Sequence, residues 1–165
     1  MSAVLRRATL TDAVLLAQMY RRCFDDAWDA PAFQRLLEKP GAFALLAGEA
    51  ATYSQAFILI QVAADQAEIL SLGTELQGRR KGLGQTLVAA GAAEAFRLGA
   101  RELFLEVAKD NAAALALYAG MGFQVCGWRT AYYRRRDTPP VDAAILRARL
   151  PLGGNFAHVY ITAWE

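Results

Sequence analysis

Two kinds of apolar pattern divide this chain into predicted strands and predicted helices. Short runs rich in Val, Ile, Leu, Phe and Tyr, bounded by turn-forming residues, predict strands. These strands cover Val4–Ala8, Ala42–Gly48, Tyr53–Val62, Gln66–Leu72, Arg101–Val107, Phe123–Trp128 and Val141–Leu150. Longer segments, in which apolar residues recur every three or four positions, predict helices. The helices cover Ala13–Arg22, a stretch from Pro31 to just before Pro40, Leu83–Leu98 and Ala112–Met121.

The order of these elements predicts a mixed sheet and therefore an α+β fold. Three successive strands between Ala42 and Leu72 are joined by short loops, which predicts an antiparallel meander. The helix from Leu83 then separates the strand near Leu70 from the strand near Leu105. Such a strand–helix–strand crossover predicts a local parallel pair. We expect about four helices around this sheet.

The chain length suits one domain followed by a short extension. The sequence has 165 residues, enough for a single core. We assign residues 1–150 to this domain and residues 151–165 to a C-terminal extension, in which the composition of Phe156–Trp164 predicts an added strand. The only histidine, His158, lies in the extension, and a lone histidine is more often structural than catalytic.

Composition narrows the class of protein. With 55% hydrophobic and 21% charged residues the chain is of the globular type, and a net charge of +2 is too small to indicate nucleic-acid binding. Cys23 and Cys126 lie in apolar sequence surroundings without metal-ligand spacing, which predicts reduced thiols and no metal site. We find no secretory signal and no apolar run of about 18 residues, so we expect a cytoplasmic protein.

A glycine-containing loop, Gln77–Gly84, joins a predicted strand to a predicted helix. Glycine lets the backbone approach a ligand closely, and the first N–H groups of a helix have no partner within the helix. The helix dipole adds partial positive charge at this end, and Arg79, Arg80 and Lys81 add full charges. These donors and cations together predict a pyrophosphate-binding site.

Two common phosphate-binding motifs do not fit this loop. A P-loop requires Gly-Lys-Ser/Thr, whereas Gly84 is followed by Gln85-Thr86, and a dinucleotide fingerprint requires a glycine where Leu87 stands. The pattern Arg79-x-x-Gly82-x-Gly84 resembles instead the [Gln/Arg]-x-x-Gly-x-[Gly/Ala] loop of the GNAT acetyltransferases. Because this pattern is short, ordinary helix-capping glycines remain an alternative interpretation.

Two further segments make the resemblance more specific. The run from Leu105-Glu106-Val107 through Asn111 and Tyr118 to Gly122-Phe123 resembles the "LEV…N..A..LY…GF" segment of the same family. Arg129-Thr130-Ala131-Tyr132-Tyr133 is similar to the Arg-x-x-Tyr-Tyr ending of the branch that acetylates the N-terminal alanine of ribosomal proteins. The resemblance covers roughly Val4 to Leu150. It implies a GNAT fold whose parallel strand pair splays apart at an acetyl-CoA site.

The resemblance implies a role for each matching residue. Glu106 would deprotonate the attacking α-amine, and Tyr118 would protonate the departing CoA thiolate. The acetyl-CoA contacts would come from Leu72, Gly73, Thr74, Arg79, Arg80, Lys81, Gly82, Leu83, Gly84, Gln85 and Asn111. Taken without the resemblance, Glu106 could simply face solvent and Tyr118 could be a packing residue at the edge of the core.

The required chemistry agrees with these residue types. Acetyl transfer needs a neutral amine, and a nearby carboxylate can remove the proton directly or through a water molecule. An α-amine has a reference pKa of about 7.7–8.0, so it is far easier to deprotonate at neutral pH than a lysine near 10.4. Backbone N–H donors at a splayed strand end can stabilise the developing oxyanion. Direct transfer needs no covalent enzyme intermediate, in agreement with the lack of a Cys–His pair.

Some departures from the family pattern concern the acceptor and the acetyl position. Gly73 stands where the family commonly carries alanine, without the usual following proline, and this predicts looser placement of the acetyl group. Arg134–Arg136 replaces a short polar-proline turn. We expect a protein N-terminus, by resemblance a ribosomal protein beginning with alanine, as acceptor. A lysine or small-amine acceptor, or a CoA-binding regulatory module without turnover, remains the alternative.

Overall fold

A computed structural model describes residues 3–26, 28–135 and 137–154 of the chain. Its strands are β1 (Val4–Arg7), β2 (Ala42–Ala50), β3 (Tyr53–Ala63), β4 (Gln66–Thr74), β5 (Glu102–Ala108), β6 (Gln124–Tyr133) and β7 (Val141–Arg149). Its helices are α1 (Ala13–Cys23), α2 (Ala30–Leu37), α3 (Leu83–Arg97) and α4 (Ala112–Gly120), with short 3-10 turns at Leu10–Asp12 and Leu76–Gly78.

The strands form one seven-stranded sheet in the order β1-β2-β3-β4-β5-β7-β6. All neighbouring pairs are antiparallel except β4 and β5, which are parallel and connected through α3. The predicted α+β class, the antiparallel meander and the parallel pair are therefore confirmed. The crossover rule identifies the parallel pair because a strand–helix–strand unit returns the chain to the same end of the sheet.

Helices cover both faces of the sheet at its centre. On one face α3 packs Leu87 and Val88 against Ile58, and on the other α1 packs Leu16 and Met19 near Phe57. β3 is thus buried on both sides, which explains why its middle is a continuous apolar run rather than an alternating one. The sheet is thereby held rigidly at the strands that carry the site.

The two parallel strands separate part of the way along. β4 pairs with β5 only from Gln66 to Glu68, opposite Glu102 to Phe104. Beyond that point β4 stays paired with β3 as far as Thr74, and β5 stays paired with β7 as far as Ala108. The predicted splay is therefore present. It leaves the backbone groups on the β5 side of β4 without a strand partner, where an extended ligand can pair with them.

A β-bulge reorients the end of β4. Leu59 faces Ser71 and Ile60 faces Ile69, so Leu70 is an extra residue in β4. After the bulge Leu72 packs on the α3 side, while Gly73 faces the α1 side. A Cβ on Gly73 would lie 2.6 Å from Phe57 Cε1 and 3.2 Å from Cys23 Sγ. Close packing of Phe57 thus gives a structural reason for glycine here, while looser acetyl placement stays a prediction.

The structure corrects two sequence-based expectations at β6. This strand continues to Tyr133 instead of ending near Trp128, so the Arg129–Tyr133 segment lies within the sheet. Cys126 is exposed rather than in apolar surroundings, because β6 is an edge strand and Cys126 is an extra residue between Val125 and Gly127. Cys23 is half-buried, and neither cysteine is in a disulfide.

The C-terminal extension begins against the core. Leu152 is only 4% exposed and packs in the cluster around α3. The strand predicted for Phe156–Trp164, with His158, lies outside the described residues, so the division at residue 150 stays a prediction. In the described part of the chain we find no helix with both the length and the apolar character needed to span a membrane.

Candidate active site

The loop before α3 places backbone donors at the start of a long helix. Gly82 is the N-cap residue, with a φ of +75° that lies in the left-handed region, where glycine is favoured. Its carbonyl oxygen accepts hydrogen bonds from Thr86 N, at 3.0 Å, and from Thr86 Oγ1, at 2.9 Å. A Cβ on Gly82 would meet no atom within 4 Å, so the loop is open on this side. Arg80 also has a positive φ, +64°, an uncommon conformation for arginine.

A cavity of about 630 Å³ lies between this loop, the end of β4 and the start of α4; we call it the loop cavity. Its lining includes every predicted acetyl-CoA contact except Lys81, namely Leu72, Gly73, Thr74, Arg79, Arg80, Gly82, Leu83, Gly84, Gln85 and Asn111. Lys81 forms an ion pair with Glu49 at 2.7 Å and is not part of the lining. Residues from three separate segments of the chain therefore meet at one surface.

Side-chain contacts fix the loop against the sheet. Arg79 Nε donates to the carbonyl oxygen of Thr74 at 3.3 Å, and the buried Glu75 pairs with Arg22 of α1 at 2.7 Å. A Cβ on Gly78 would lie 2.8 Å from Gln55 Cβ, so the loop packs closely on β3. The segment from Thr74 to Arg79, which leads to the helix N-terminus, is consequently fixed against β3 and α1.

The loop cavity fits a ligand that carries phosphate groups. The lining includes the first residues of α3, whose N–H groups have no partner within the helix, and the two exposed residues Arg79 and Arg80. Such donors bind phosphate oxygens through charge-assisted hydrogen bonds. The remaining wall, formed by Leu72, Ala114 and Leu117, is apolar and suits an uncharged linker segment.

Asn111 has a structural function as well as a place at the cavity. Its Oδ1 accepts a hydrogen bond from Ala114 N at 3.2 Å and so caps α4. Since the cap uses the oxygen, Nδ2 is the atom with which Asn111 can donate to a ligand. An asparagine at this position therefore serves the helix start and the cavity at once.

A second cavity, of about 580 Å³, occupies the gap between the separated strands; we call it the splay cavity. Residues 69–72 of β4 form one side and residues 105–108 of β5 the other, with Tyr118 and Tyr133 also in the lining. Glu106 and Tyr118, the two predicted catalytic residues, thus lie in the same cavity. The two cavities adjoin, since they share the residues Phe24, Leu72, Asn111, Ala114 and Leu117.

Tyr118 lies on α4, directly after Leu117, which lines both cavities. It is 5% exposed, and its ring packs edge-on against Phe123 at 5.4 Å between centroids. Burial, with a smaller contribution from Tyr133, raises the pKa of the Tyr118 phenol. The hydroxyl is therefore protonated at neutral pH and can act as a proton donor.

Glu106 projects from β5 on the face opposite to Leu105 and Val107, which are buried in the α3 cluster. Its side chain is 16% exposed and pairs with Arg129 of β6 through Oε1 and Nε, 2.6 Å apart. A carboxylate that is mostly removed from solvent but still lines a cavity can accept a proton from a ligand. The solvent-facing alternative for Glu106 does not match this burial.

Several lining residues were not among the predicted site residues. Tyr133 is half-buried in the splay cavity, and burial together with the charge of Glu106 raises its pKa. Tyr20 Oη donates to Asp26, with Oδ1 and Oδ2 at 3.0 and 2.9 Å, at another wall of the same cavity. The Arg-x-x-Tyr-Tyr segment was a usable signal for Tyr133, whereas nothing local marks Tyr20.

Cys23, the cysteine at the loop cavity, is not an activated nucleophile. Cys23 lines the loop cavity, where burial and the negative charge of Glu75 raise the pKa of its thiol. The thiol is therefore protonated at neutral pH and a poor attacking group. This arrangement favours direct transfer between two bound ligands over a covalent enzyme intermediate.

Comparison with known proteins finds one family along most of the chain. Residues 13–123 match the acetyltransferase (GNAT) family. The chain is 33% identical over 131 residues to the N-alpha-acetyltransferase RimI of Mycobacterium tuberculosis, a match that covers 76% of this chain and 81% of that protein. It is 37% identical over 82 residues to the Escherichia coli [ribosomal protein bS18]-alanine N-acetyltransferase, covering 50% of this chain and 55% of that enzyme. The match therefore spans about half the length of the E. coli relative.

Solved structures give the same result for the fold. The crystal structure of the E. coli ribosomal-protein-S18-alanine N-acetyltransferase aligns with a TM-score of 0.82 and 25% identity, over 93% of this chain and 97% of that one. The Arabidopsis thaliana NAA60 structure in complex with acetyl-CoA aligns with a TM-score of 0.79 over 90% of this chain and 99% of that one. At 16% identity, the second similarity shows the fold alone.

Proposed function

This chain belongs to the acetyltransferase (GNAT) family, and from that premise we propose that it transfers an acetyl group from acetyl-CoA to the N-terminal α-amine of a protein. One observation carries the proposal: Glu106 and Tyr118 line one cavity in the strand splay, and that cavity adjoins the loop cavity. The donor and the acceptor can thus approach the same point from two sides.

On the donor side, the α3 N-terminus with Arg79 and Arg80 binds the pyrophosphate of acetyl-CoA, and Asn111 donates to it from Nδ2. The unpaired edge of β4 at Leu72–Thr74 forms hydrogen bonds to the pantetheine arm. In this proposal acetyl-CoA supplies the thioester, and the N–H groups at the strand end stabilise the charge that develops on the carbonyl oxygen. Lys81, held by Glu49, contributes long-range positive charge at most.

On the acceptor side, the α-amine enters the splay cavity. Three carboxylates, of Asp25, Asp26 and Glu106, line its walls against two arginines, Arg134 and Arg135, and this balance favours a cationic N-terminus. Glu106 then accepts a proton from the ammonium, directly or through water, which frees the lone pair for attack. The C–N bond forms as the C–S bond breaks, and Tyr118 transfers its phenolic proton to the leaving sulfur. The second proton of the attacking nitrogen then passes through water to the Tyr118 oxygen, which restores the phenol and leaves a neutral amide.

The acceptor we propose is a protein N-terminus beginning with alanine, in the class of ribosomal proteins. Support comes from the E. coli and M. tuberculosis relatives, whose names describe α-amine acetylation, and from the Arg129–Tyr133 segment in β6. A cytoplasmic location is part of the same proposal.

A peptide panel tests the acceptor. Short peptides that begin with alanine, and the same peptides with a blocked N-terminus and an internal lysine, are incubated with acetyl-CoA, and mass spectrometry locates the acetyl group. Acetylation of the free N-terminal amine alone is expected. Acetylation only of lysine would overturn the α-amine assignment. Acetyl-CoA binding without transfer to any peptide or intact protein N-terminus would overturn the enzyme assignment.

A pair of glycine variants tests the phosphate loop. Gly82→Val and Gly99→Val both introduce a side chain at a positive φ, +75° and +107°, and neither Cβ meets an atom within 4 Å. Both should therefore lose stability through backbone strain, of about 1–2 kcal/mol or more. Only Gly82→Val should also lose CoA binding. At 100 times its Kd, CoA stabilises a protein by about 2.7 kcal/mol.

The readout is the melting temperature with and without CoA. For a chain of this size, the stabilisation should raise the Tm of the parent protein and of Gly99→Val by roughly 5–10 °C. Gly82→Val should show almost no rise. A full rise in Gly82→Val would exclude the loop as the pyrophosphate site.

A further inference from the structure

The Arg129-x-x-Tyr132-Tyr133 segment has no part in the chemistry described above, yet β6 is distorted where it lies. Arg129 faces Ala143 of β7, whereas Tyr133 faces Val141, so four steps along β6 match two along β7. At the centre of this bulge Ala131 has a φ of +53°, and its N–H donates to Asp142 Oδ1 at 2.8 Å. The bulge is therefore held by a specific side chain.

The bulge brings Arg129 and Tyr133 close together on one face of the sheet. Their β7 partners, Ala143 and Val141, are two residues apart and point the same way. The two side chains are thus separated by about 7 Å along the strand, instead of the roughly 13 Å expected for four regular residues. A regular strand would move Tyr133 away from the splay cavity.

Arg129 reaches Glu106 across the intervening strand. Glu106 faces Ile145 of β7, and the next residue of β7 on that face, Ala143, faces Arg129. The small side chain of Ala143, which is fully buried, lets the arginine extend over β7 to the carboxylate, at 2.6 Å from Nε to Oε1. Glu106 lines the splay cavity but Arg129 does not, so the arginine holds the carboxylate from outside.

The same guanidinium is linked to Tyr133. Arg129 Cζ lies 5.3 Å from the centre of the Tyr132 ring, and that ring packs edge-on against Tyr133 at 5.1 Å between centroids. Arg129 therefore contacts Glu106 directly and Tyr133 through Tyr132. Both of these residues line the splay cavity.

A second carboxylate, that of Glu68, interacts with both Glu106 and Arg129. Burial raises the pKa of Glu68 on β4, and the negative charge of nearby Glu106 raises it further. The positive charge of Arg129 acts in the opposite direction. Arg129 therefore offsets part of the repulsion between the two carboxylates, and its removal would also remove the contact that orients Glu106.

We propose that Arg129 is a positioning residue, which fixes the carboxylate of Glu106 toward the acceptor in the splay cavity. The inference rests on the proposed function, because it assigns Arg129 a role in the same proton transfer. It gives the Arg-x-x-Tyr-Tyr segment a physical meaning: the arginine holds the base, and the bulge places Tyr133 beside it.

The test compares Arg129→Gln and Arg129→Lys with Arg147→Gln as a matched control. Arg147 of β7 lies on the same face of the sheet as Arg129, and both residues are exposed. It pairs with Glu102 of β5 at 3.5 Å. The assay is acetylation of an alanine-starting peptide at saturating acetyl-CoA. Arg129→Gln should lower kcat by about 10–100-fold, since small misplacements of a catalytic group have effects of this size.

Three further readouts separate positioning from general structure. The KM for acetyl-CoA should change less than about twofold. The Tm should move by no more than about 4 °C, because Arg129 is half exposed and an ion pair screened by solvent contributes at most about 1 kcal/mol. Arg129→Lys should recover part of kcat, since it keeps the charge but not the planar group. The double variant Glu106→Gln/Arg129→Gln should be no slower than Glu106→Gln alone. Arg147→Gln should retain kcat within about twofold.

Unchanged kcat in Arg129→Gln, alongside a strong defect in Glu106→Gln, would overturn this inference and leave the proposed function intact. Additive losses in the double variant would also overturn it, because Arg129 would then act through something other than Glu106. A rise in peptide KM with normal kcat would instead make Arg129 an acceptor contact. Full activity in Glu106→Gln would overturn the base assignment of the proposed function itself.

Discussion

Replacement of Tyr118 by phenylalanine should lower kcat by roughly 10²–10⁴-fold, the usual contribution of a general acid. The substitution removes only the hydroxyl, and the buried ring can keep its packing against Phe123. A tyrosine hydroxyl is protonated in the neutral range, and burial raises the pKa of Tyr118 further, so the proton that the leaving thiolate needs is present. Without the Tyr118 hydroxyl, the CoA sulfur must leave as an unprotonated thiolate or take its proton from water.

Steady-state kinetics with a saturating peptide, together with CoA binding and Tm, measure this effect. CoA affinity should stay nearly the same, since Tyr118 does not line the loop cavity. Tyr53→Phe is a matched control, because Tyr53 is 49% exposed on β3. An equal loss of CoA affinity and turnover would indicate that Tyr118 is a packing residue. If kcat of Tyr118→Phe stayed within about threefold of the parent value, Tyr118 would not be the general acid. Tyr133, which lines the same cavity, would be the next candidate.

Replacement of Glu106 by glutamine should lower kcat/KM by about 10²–10³-fold at pH 7, with a loss that shrinks as the pH rises. Glutamine keeps the size of the side chain but cannot accept a proton. A free α-amine has a pKa of about 7.7–8.0, so its neutral fraction increases through this range and the need for a base decreases. The ratio of parent to variant activity should therefore fall between pH 6.5 and pH 9.

The measurement is kcat/KM for an alanine-starting peptide at several pH values, with Glu102→Gln as the control. Glu102 lies on the same strand and the same face, and also pairs with an arginine, Arg147. A ratio that stays constant with pH would mean that Glu106 binds or orients the acceptor without taking its proton.

Both residues were named through the resemblance to the GNAT family, whose motif lies within one local segment of the chain. Glu106 and Tyr118 belong to one strand–turn–helix run, Leu105 to Phe123, in which backbone hydrogen bonding and periodicity fix the relative positions. The same holds for the loop before α3, where glycine and the helix start lie within a few residues. Because each motif lies within one short segment, the resemblance can be recognised without knowledge of the rest of the fold.

Contacts between distant segments were beyond this reasoning. Lys81 is adjacent to Arg80 in sequence, yet it pairs with Glu49 from the β2–β3 hairpin instead of lining the loop cavity. Cys126 follows an apolar residue, yet an irregular register on an edge strand exposes it. Neither outcome is visible in periodicity, because a bulge shifts side chains by one residue without changing the composition of the strand.

The sequence alone thus determined the class of fold, the order of the elements and the parallel pair after the crossover, and its resemblance to the GNAT family supplied the candidate acid, base and phosphate loop. Tertiary structure decided where β4 and β5 stop pairing, how the two cavities meet at Leu72 and Leu117, and that Arg129 crosses β7 to reach Glu106. The physical reason is that secondary structure follows from neighbours along the chain. Register, bulges and cavity walls depend instead on how residues more than 20 positions apart pack against one another.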